Sequence, residues 1–128
     1  MLQQIAGREN EPAEQVYKNV QVLKGLTAGD LLKKMDEFGH ALSYSCANCH
    51  RTTDFAADSG LRNKARARGM VTMLADVNAQ YLPKIFPTNT PKATCMTCHR
   101  GENSPSQTMV PPRAPGQAAP APGRPPTS

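Results

Sequence analysis

Apolar positions recur at helical spacing in three stretches of the chain and are sparse near its end. After Asn10-Glu11-Pro12, where a proline stands at a first-turn position beside acids, Val16, Val20 and Leu23 lie three or four residues apart and Gly25 closes the stretch. The spacing predicts a helix from this start up to Gly25. Thr27, with Asp30 three residues on, resembles a capping box in which Asp replaces the usual Glu or Gln. Behind it Leu31, Met35, Phe38 and Leu42 fall on one face of a second helix, and Lys33, Lys34, Asp36 and Glu37 fall on the other. Residues 52–60 read as a loop, with Asp58 or Ser59 as the candidate cap of the next helix. That third, longer helix is predicted from about Leu61 to Leu82. Met70, Met73, Val77 and Tyr81 form its apolar face, and Arg62, Lys64, Arg66 and Arg68 surround its start. Pro83, Pro87 and Pro91 then mark a second loop.

Two segments stand apart from this periodicity: Cys46-Ala47-Asn48-Cys49-His50 and Cys95-Met96-Thr97-Cys98-His99. Together they use all 4 cysteines and two of the 3 histidines. Each comes after a helix and a turn, so the order helix, turn, Cys-x-x-Cys-His occurs twice as an internal repeat. A zinc site would take the thiolates as four tetrahedral ligands, and a disulfide framework would pair them. Neither explains a histidine fixed directly after each pair. Covalent haem attachment does: each thiol adds to one vinyl group, and the adjacent imidazole is aimed at the iron. Cys46, Cys49, Cys95 and Cys98 are therefore read as the thioethers of two c-type haems, with His50 and His99 as proximal iron ligands.

Composition supports a chain that leans on a cofactor for its core. Apolar residues make up 38%, aromatics 5%, and there is no Trp. Eight of the 12 prolines lie beyond Ser104, so only about residues 10–103 can pack. The domain expectation is a loose arm over 1–10, a dihaem domain over 11–103 and a Pro-rich tail over 104–128. That tail is either disordered or an extended strap along a partner. The net charge of +5 is carried by cations interspersed with acids, and four haem propionates would offset most of it. No nucleic-acid partner is expected. No apolar run is long enough to span a membrane, so attachment to one is expected to be peripheral. Residues 1–4 have neither the basic start nor the apolar run of a signal peptide. Because thioethers form outside the cytoplasm in bacteria, a targeting segment is expected upstream of the numbered chain, and with it a periplasmic location.

The sixth iron ligand decides whether a haem carries electrons or binds exogenous molecules. Met35 lies on the apolar face of the helix leading into the first motif, and Met73 has the same relation to the second. The separation from Met to Cys is 11 residues in the first case and 22 in the second. Helical methionine is also ordinary core filler, and Met70 shares a face with Met73. Met96 cannot fold back onto its own haem, and Met109 lies in the tail. His40 points off the Met35 face and is read as a surface residue. Arg51 and Arg100, each next to a ligand histidine, are candidates for pairing with propionates.

Several segments also carry a resemblance. Residues 16–23 (Val-Tyr-Lys-Asn-Val-Gln-Val-Leu), 31–35 (Leu-Leu-Lys-Lys-Met), 70–73 (Met-Val-Thr-Met) with Val77-Asn78, and 94–101 (Thr-Cys-Met-Thr-Cys-His-Arg-Gly) resemble the cytochrome subunit of photosynthetic reaction centres. The likeness covers about residues 15–103 and corresponds to half of that tetrahaem protein. It implies a mainly α multihaem cytochrome c with two helix–turn–haem-binding-helix repeats and little strand. It also implies Met35 and Met73 as distal iron ligands. The chain departs from the family in having two motifs rather than four, no N-terminal lipid-bearing Cys, and no His between Met73 and Cys95. The function expected is one-electron transfer, not enzymatic turnover, with a membrane-bound reaction centre as partner. Another respiratory or extracellular electron-transfer assembly is the alternative. A dihaem peroxidase, or a module that joins subunits through haem-to-haem contact, stands further off.

Overall fold

The structure, a computed structural model, describes residues 2–105. The Pro-rich tail beyond Pro105, with Met109 in it, lies outside the described residues. The described part is helical and contains no sheet; two isolated bridges, Pro12 with Thr27 and Arg51 with Asp54, are its extended pairings. The mainly α expectation therefore holds.

The central helix, α2 (Ala28–Leu42), forms where the periodicity places it. Thr27 is extended, and its hydroxyl accepts from the Asp30 N–H at 3.1 Å, satisfying one of the donors that a helix start leaves unpaired. Asp30 does not complete a capping box; its carboxylate instead accepts from Lys33 one turn on, at 3.0 Å. At the other end Ser43 takes a left-handed conformation (φ 52) and the Tyr44 N–H returns to the Gly39 carbonyl at 3.0 Å. This reversal leads straight into the first Cys-x-x-Cys-His segment. A Cβ on Gly39 would lie 3.0 Å from the Tyr44 carbonyl, so the close pass of the chain favours glycine there.

The long helix predicted before Gly25 does not form. Only one turn, α1 (Ala13–Val16), is helical, and the chain is extended at Tyr17 and left-handed at Asn19 (φ 63). Long-range pairing outcompetes the local period. The Ala13 N–H donates to the Leu26 carbonyl at 2.9 Å and the Ala28 N–H to the Glu11 carbonyl at 2.8 Å. These bonds hold residues 11–13 antiparallel to 26–28, so the intervening chain must turn back. The segment expected as a loose arm contains a single-turn helix, Leu2–Ile5, in contact with α2, and Ile5 is buried.

A second long helical run starts at α3 (Arg62–Asp76), widens through a π-helical turn (Val77–Tyr81) and ends in α4 (Leu82–Ile85). The change of register coincides with Pro83, which has no N–H to give to an α-helical ladder. A one-turn-and-a-half helix, α5 (Cys95–His99), carries the second motif and packs on α2. The Gly101 N–H donates to Ala41 at the end of α2, and the Ser43 hydroxyl donates to the Gly101 carbonyl.

The polypeptide core is small. Among the described residues, Ile5, Ala13, Ala28, Leu31 and Ala41 are the buried apolar ones, while α3 buries none of its 15.

Candidate haem-attachment sites

The two motifs are built alike. Ahead of the first, the Ser45 N–H donates to the Asn48 side-chain oxygen at 2.8 Å, closing the start of a short turn, Cys46–Asn48. Ahead of the second, the Thr94 N–H donates to the Thr97 hydroxyl at 2.9 Å, closing the start of α5. Position three of each segment caps the segment's own start. The pairs Ser45/Asn48 and Thr94/Thr97 could have been read from the sequence as capping signals.

The same construction extends to the histidines. His50 Nδ1 lies 3.1 Å from the Phe55 carbonyl oxygen, and His99 Nδ1 lies 2.8 Å from the Glu102 carbonyl oxygen. A carbonyl can only accept, so each Nδ1 carries a proton, and in the neutral ring Nε2 is then the nitrogen with the lone pair. That is the tautomer and orientation a metal-ligating histidine needs. His99 is buried, and His50 stacks at a tilt on Phe55 with ring centroids 5.3 Å apart.

The four cysteines form no disulfides. In each motif one thiol is exposed and one half-buried: Cys46 and Cys98 face solvent, Cys49 and Cys95 are partly covered. Burial pushes the thiols of Cys49 and Cys95 up, keeping them protonated. Among the described residues no group of three or more His, Cys, Asp or Glu side chains could hold a metal ion.

The other expected residues are placed less tightly. Met35 is half-buried on α2, Met73 is 49% exposed on α3, and Met70 and Met96 are also exposed. His40 sits at the surface, 3.4 Å from Asp36. Arg51 donates to the Ser59 carbonyl at 3.1 Å, and Arg100 is exposed in a left-handed conformation. Asp58 does not cap α3; its carboxylate gathers Asn19, Lys64 and Arg68 at about 3 Å each. These contacts, led by the Asn19 hydrogen bond, hold the Asp58 carboxyl well below the usual carboxylate range.

Several positioning residues escape the sequence reading. Asn63 donates to the Asn48 carbonyl at 3.1 Å and ties α3 to the first motif. Asn78, in the π turn, donates to the Ala93 carbonyl at 2.9 Å and accepts the Ala93 N–H at 2.8 Å. This clasp holds the approach to the second motif against the long helix that carries Met73.

The residues present fit haem. The chain has unbridged thiols, histidines held through Nδ1 and exposed apolar residues: Phe55, Met70, Met73, Tyr81, Ile85, Phe86 and Met96 are each 38–65% exposed. A porphyrin covers surface of this kind. Fold and sites together define a protein of the c-type cytochrome class.

Residues 2–123 match the family described as photosynthetic reaction centre cytochrome C subunit, and the chain belongs to that family. Among its relatives, the photosynthetic reaction center cytochrome c subunit of Rubrivivax gelatinosus is 32% identical over 80% of this chain and 27% of its own length. That of Roseobacter denitrificans is 32% identical over 76% of this chain and 27% of its own. Cytochrome c-554 of Chloroflexus aurantiacus is 33% identical over 63% of this chain and 20% of its own. The chain spans about a quarter of the length of the curated relatives it matches. Membership makes it a protein of covalently bound c-type haem, in a family of electron carriers rather than enzymes. No helix among the described residues is long and apolar enough to cross a membrane.

Proposed function

We propose that the chain holds two c-type haems and passes electrons one at a time. The first haem is attached through Cys46 and Cys49, with His50 and Met35 as iron ligands. The second is attached through Cys95 and Cys98, with His99 and Met73. Bound haem supplies the one-electron ferric/ferrous couple. The chain orients the two histidines through their Nδ1 contacts, and Met35 and Met73 would supply the remaining iron ligands. The observation that carries this reading is the pair of histidines, one directly after each Cys-x-x-Cys, each with Nδ1 on a backbone carbonyl.

The partner is a photosynthetic reaction centre, approached peripherally from the periplasmic face, as the named relatives suggest. Intact-mass and pyridine-haemochrome measurements should find two haems per chain, falling to one in Cys46→Ala/Cys49→Ala. Met35→Ala and Met73→Ala should each turn one low-spin haem high-spin. Pentacoordinate high-spin haem at both sites in the unaltered protein overturns the carrier reading. Flash-oxidised reaction centres mixed with the reduced protein should be re-reduced; failure there removes the partner alone.

A further inference from the structure

Resting on the assignment of His50 as a haem ligand, we propose that Lys64 is a positioning residue of the first site that raises its reduction potential. The Phe55 carbonyl that accepts His50 Nδ1 at 3.1 Å also accepts the Lys64 ammonium at 3.0 Å. Sharing one oxygen places the ammonium no more than about 6 Å from the imidazole nitrogen. Lys64 is only 11% exposed and also donates to the carbonyls of Ala56 at 3.2 Å and Ala57 at 2.7 Å. It forms an ion pair with Asp58 at 3.0 Å, and Asp58 is shared in turn with Arg68 at 3.0 Å. Two cations on one carboxylate leave a net positive charge under the first motif.

The second site lacks this arrangement. His99 Nδ1 meets the Glu102 carbonyl at the shorter distance of 2.8 Å, and no cation bonds that oxygen among the described residues. The consequence at the first site is twofold. An ammonium on the shared carbonyl draws its electron density away from His50, so the imidazole gains less anionic character and stabilises ferric iron less. The nearby positive charge opposes the charge gained when iron gives up its electron, and burial keeps solvent from screening it. Two sites alike in motif and tautomer are thereby made electrically unequal.

The test is a redox titration of the full chain with both haems attached. It is read by electrochemistry and by NMR of the axial methionine methyls, which report each site separately. Lys64→Met should lower the potential of the first site and leave the second nearly unmoved. Asp58→Asn, which removes the counter-charge, should raise it. Lys64→Arg should stay near the unaltered value. A lysine that merely braced the loop would give both Lys64→Met and Asp58→Asn the same sign, since both loosen the same contacts. Shifts of equal sign, shifts equal at both sites, or no shift in either variant overturn the proposal. Absence of any axial methionine signal, with the electrochemical shifts intact, would refute the methionine ligands and leave Lys64 standing.

Discussion

Asn78→Ala should weaken the second haem site and leave the first in place. The side chain makes two hydrogen bonds to one residue, Ala93, at 2.9 and 2.8 Å, both partly buried. A neutral hydrogen bond contributes about 1 kcal/mol net, so the pair is worth about 2 kcal/mol. Water reaches half-buried groups, so the backbone atoms of Ala93 are not left orphaned at further cost. Through a urea slope of about 2 kcal/mol per M, this loss lowers the midpoint of the affected region by about 1 M. The clasp joins the π turn to the residue two before Cys95, and the helix leading into that turn carries Met73. On the ligation proposed above, separation of these elements would detach Met73 from the second haem. The assay is a urea titration of the reduced protein, with the two axial methionine methyl resonances followed by NMR. The second-site signal should vanish about 1 M earlier than in the unaltered protein, with the first-site signal retained. Simultaneous loss of both signals, or an unmoved midpoint, would refute the clasp as a local device.

Asp58 should make stability depend on acid. Its folded pKa lies below the unfolded value of about 4, so its contribution is present above that value and is lost as pH falls through the folded one. Thermal melts from pH 7 down to pH 2 should show a gap between the unaltered protein and Asp58→Asn that is steady above about pH 5 and shrinks below about pH 4; a gap independent of pH contradicts this. Gly39→Ala gains up to about 1 kcal/mol of helix propensity but sets a Cβ 3.0 Å from a backbone carbonyl. A lower melting temperature is expected, and a higher one would show that the Tyr44 backbone can yield. Thr27→Ala removes the hydroxyl that caps α2 and should cost about 1 kcal/mol, or about 5 °C in melting temperature. An unchanged melt would mean that water replaces the cap.

What could be read from the sequence was local. The Thr27 cap and the face of Leu31, Met35, Phe38 and Leu42 specify α2 within one stretch of chain, and the structure forms it between Ala28 and Leu42. Long periodicity likewise announced α3 with its continuation, ending three residues beyond the expected Leu82. The helix expected before Gly25 failed because its competitor is non-local: bonds from Ala13 to Leu26 and from Ala28 to Glu11 span more than a dozen residues. The Cys-x-x-Cys-His segments were visible as motifs. What orients them was not, since the acceptors for His50 and His99 are backbone carbonyls, which no side-chain pattern reports. Lys64 was hidden for a related reason. Among Arg62, Arg66 and Arg68 it looks like one cation on a solvated face, yet it folds inward onto the loop ahead of α3.

The contrast between α2 and α3 indicates why attachment is covalent. Helix α2 buries Ala28, Leu31 and Ala41 against protein, whereas α3, equally long, buries nothing. Full burial of a large apolar side chain is worth about 2 kcal/mol, so covering half-exposed residues such as Met70, Met73, Tyr81 and Ile85 yields on the order of 1 kcal/mol each. Summed over the exposed apolar residues, this is comparable with the whole stability of a small domain. A ligand responsible for that much of the folding free energy could not dissociate without unfolding its protein. Thioether bonds remove the dissociation step, so on the ligation proposed above the exposed apolar residues of α3 would be covered by porphyrin instead of by protein. The sparse core and the two Cys-x-x-Cys-His motifs are then one adaptation, and the chain before haem attachment should be far less stable than its length suggests.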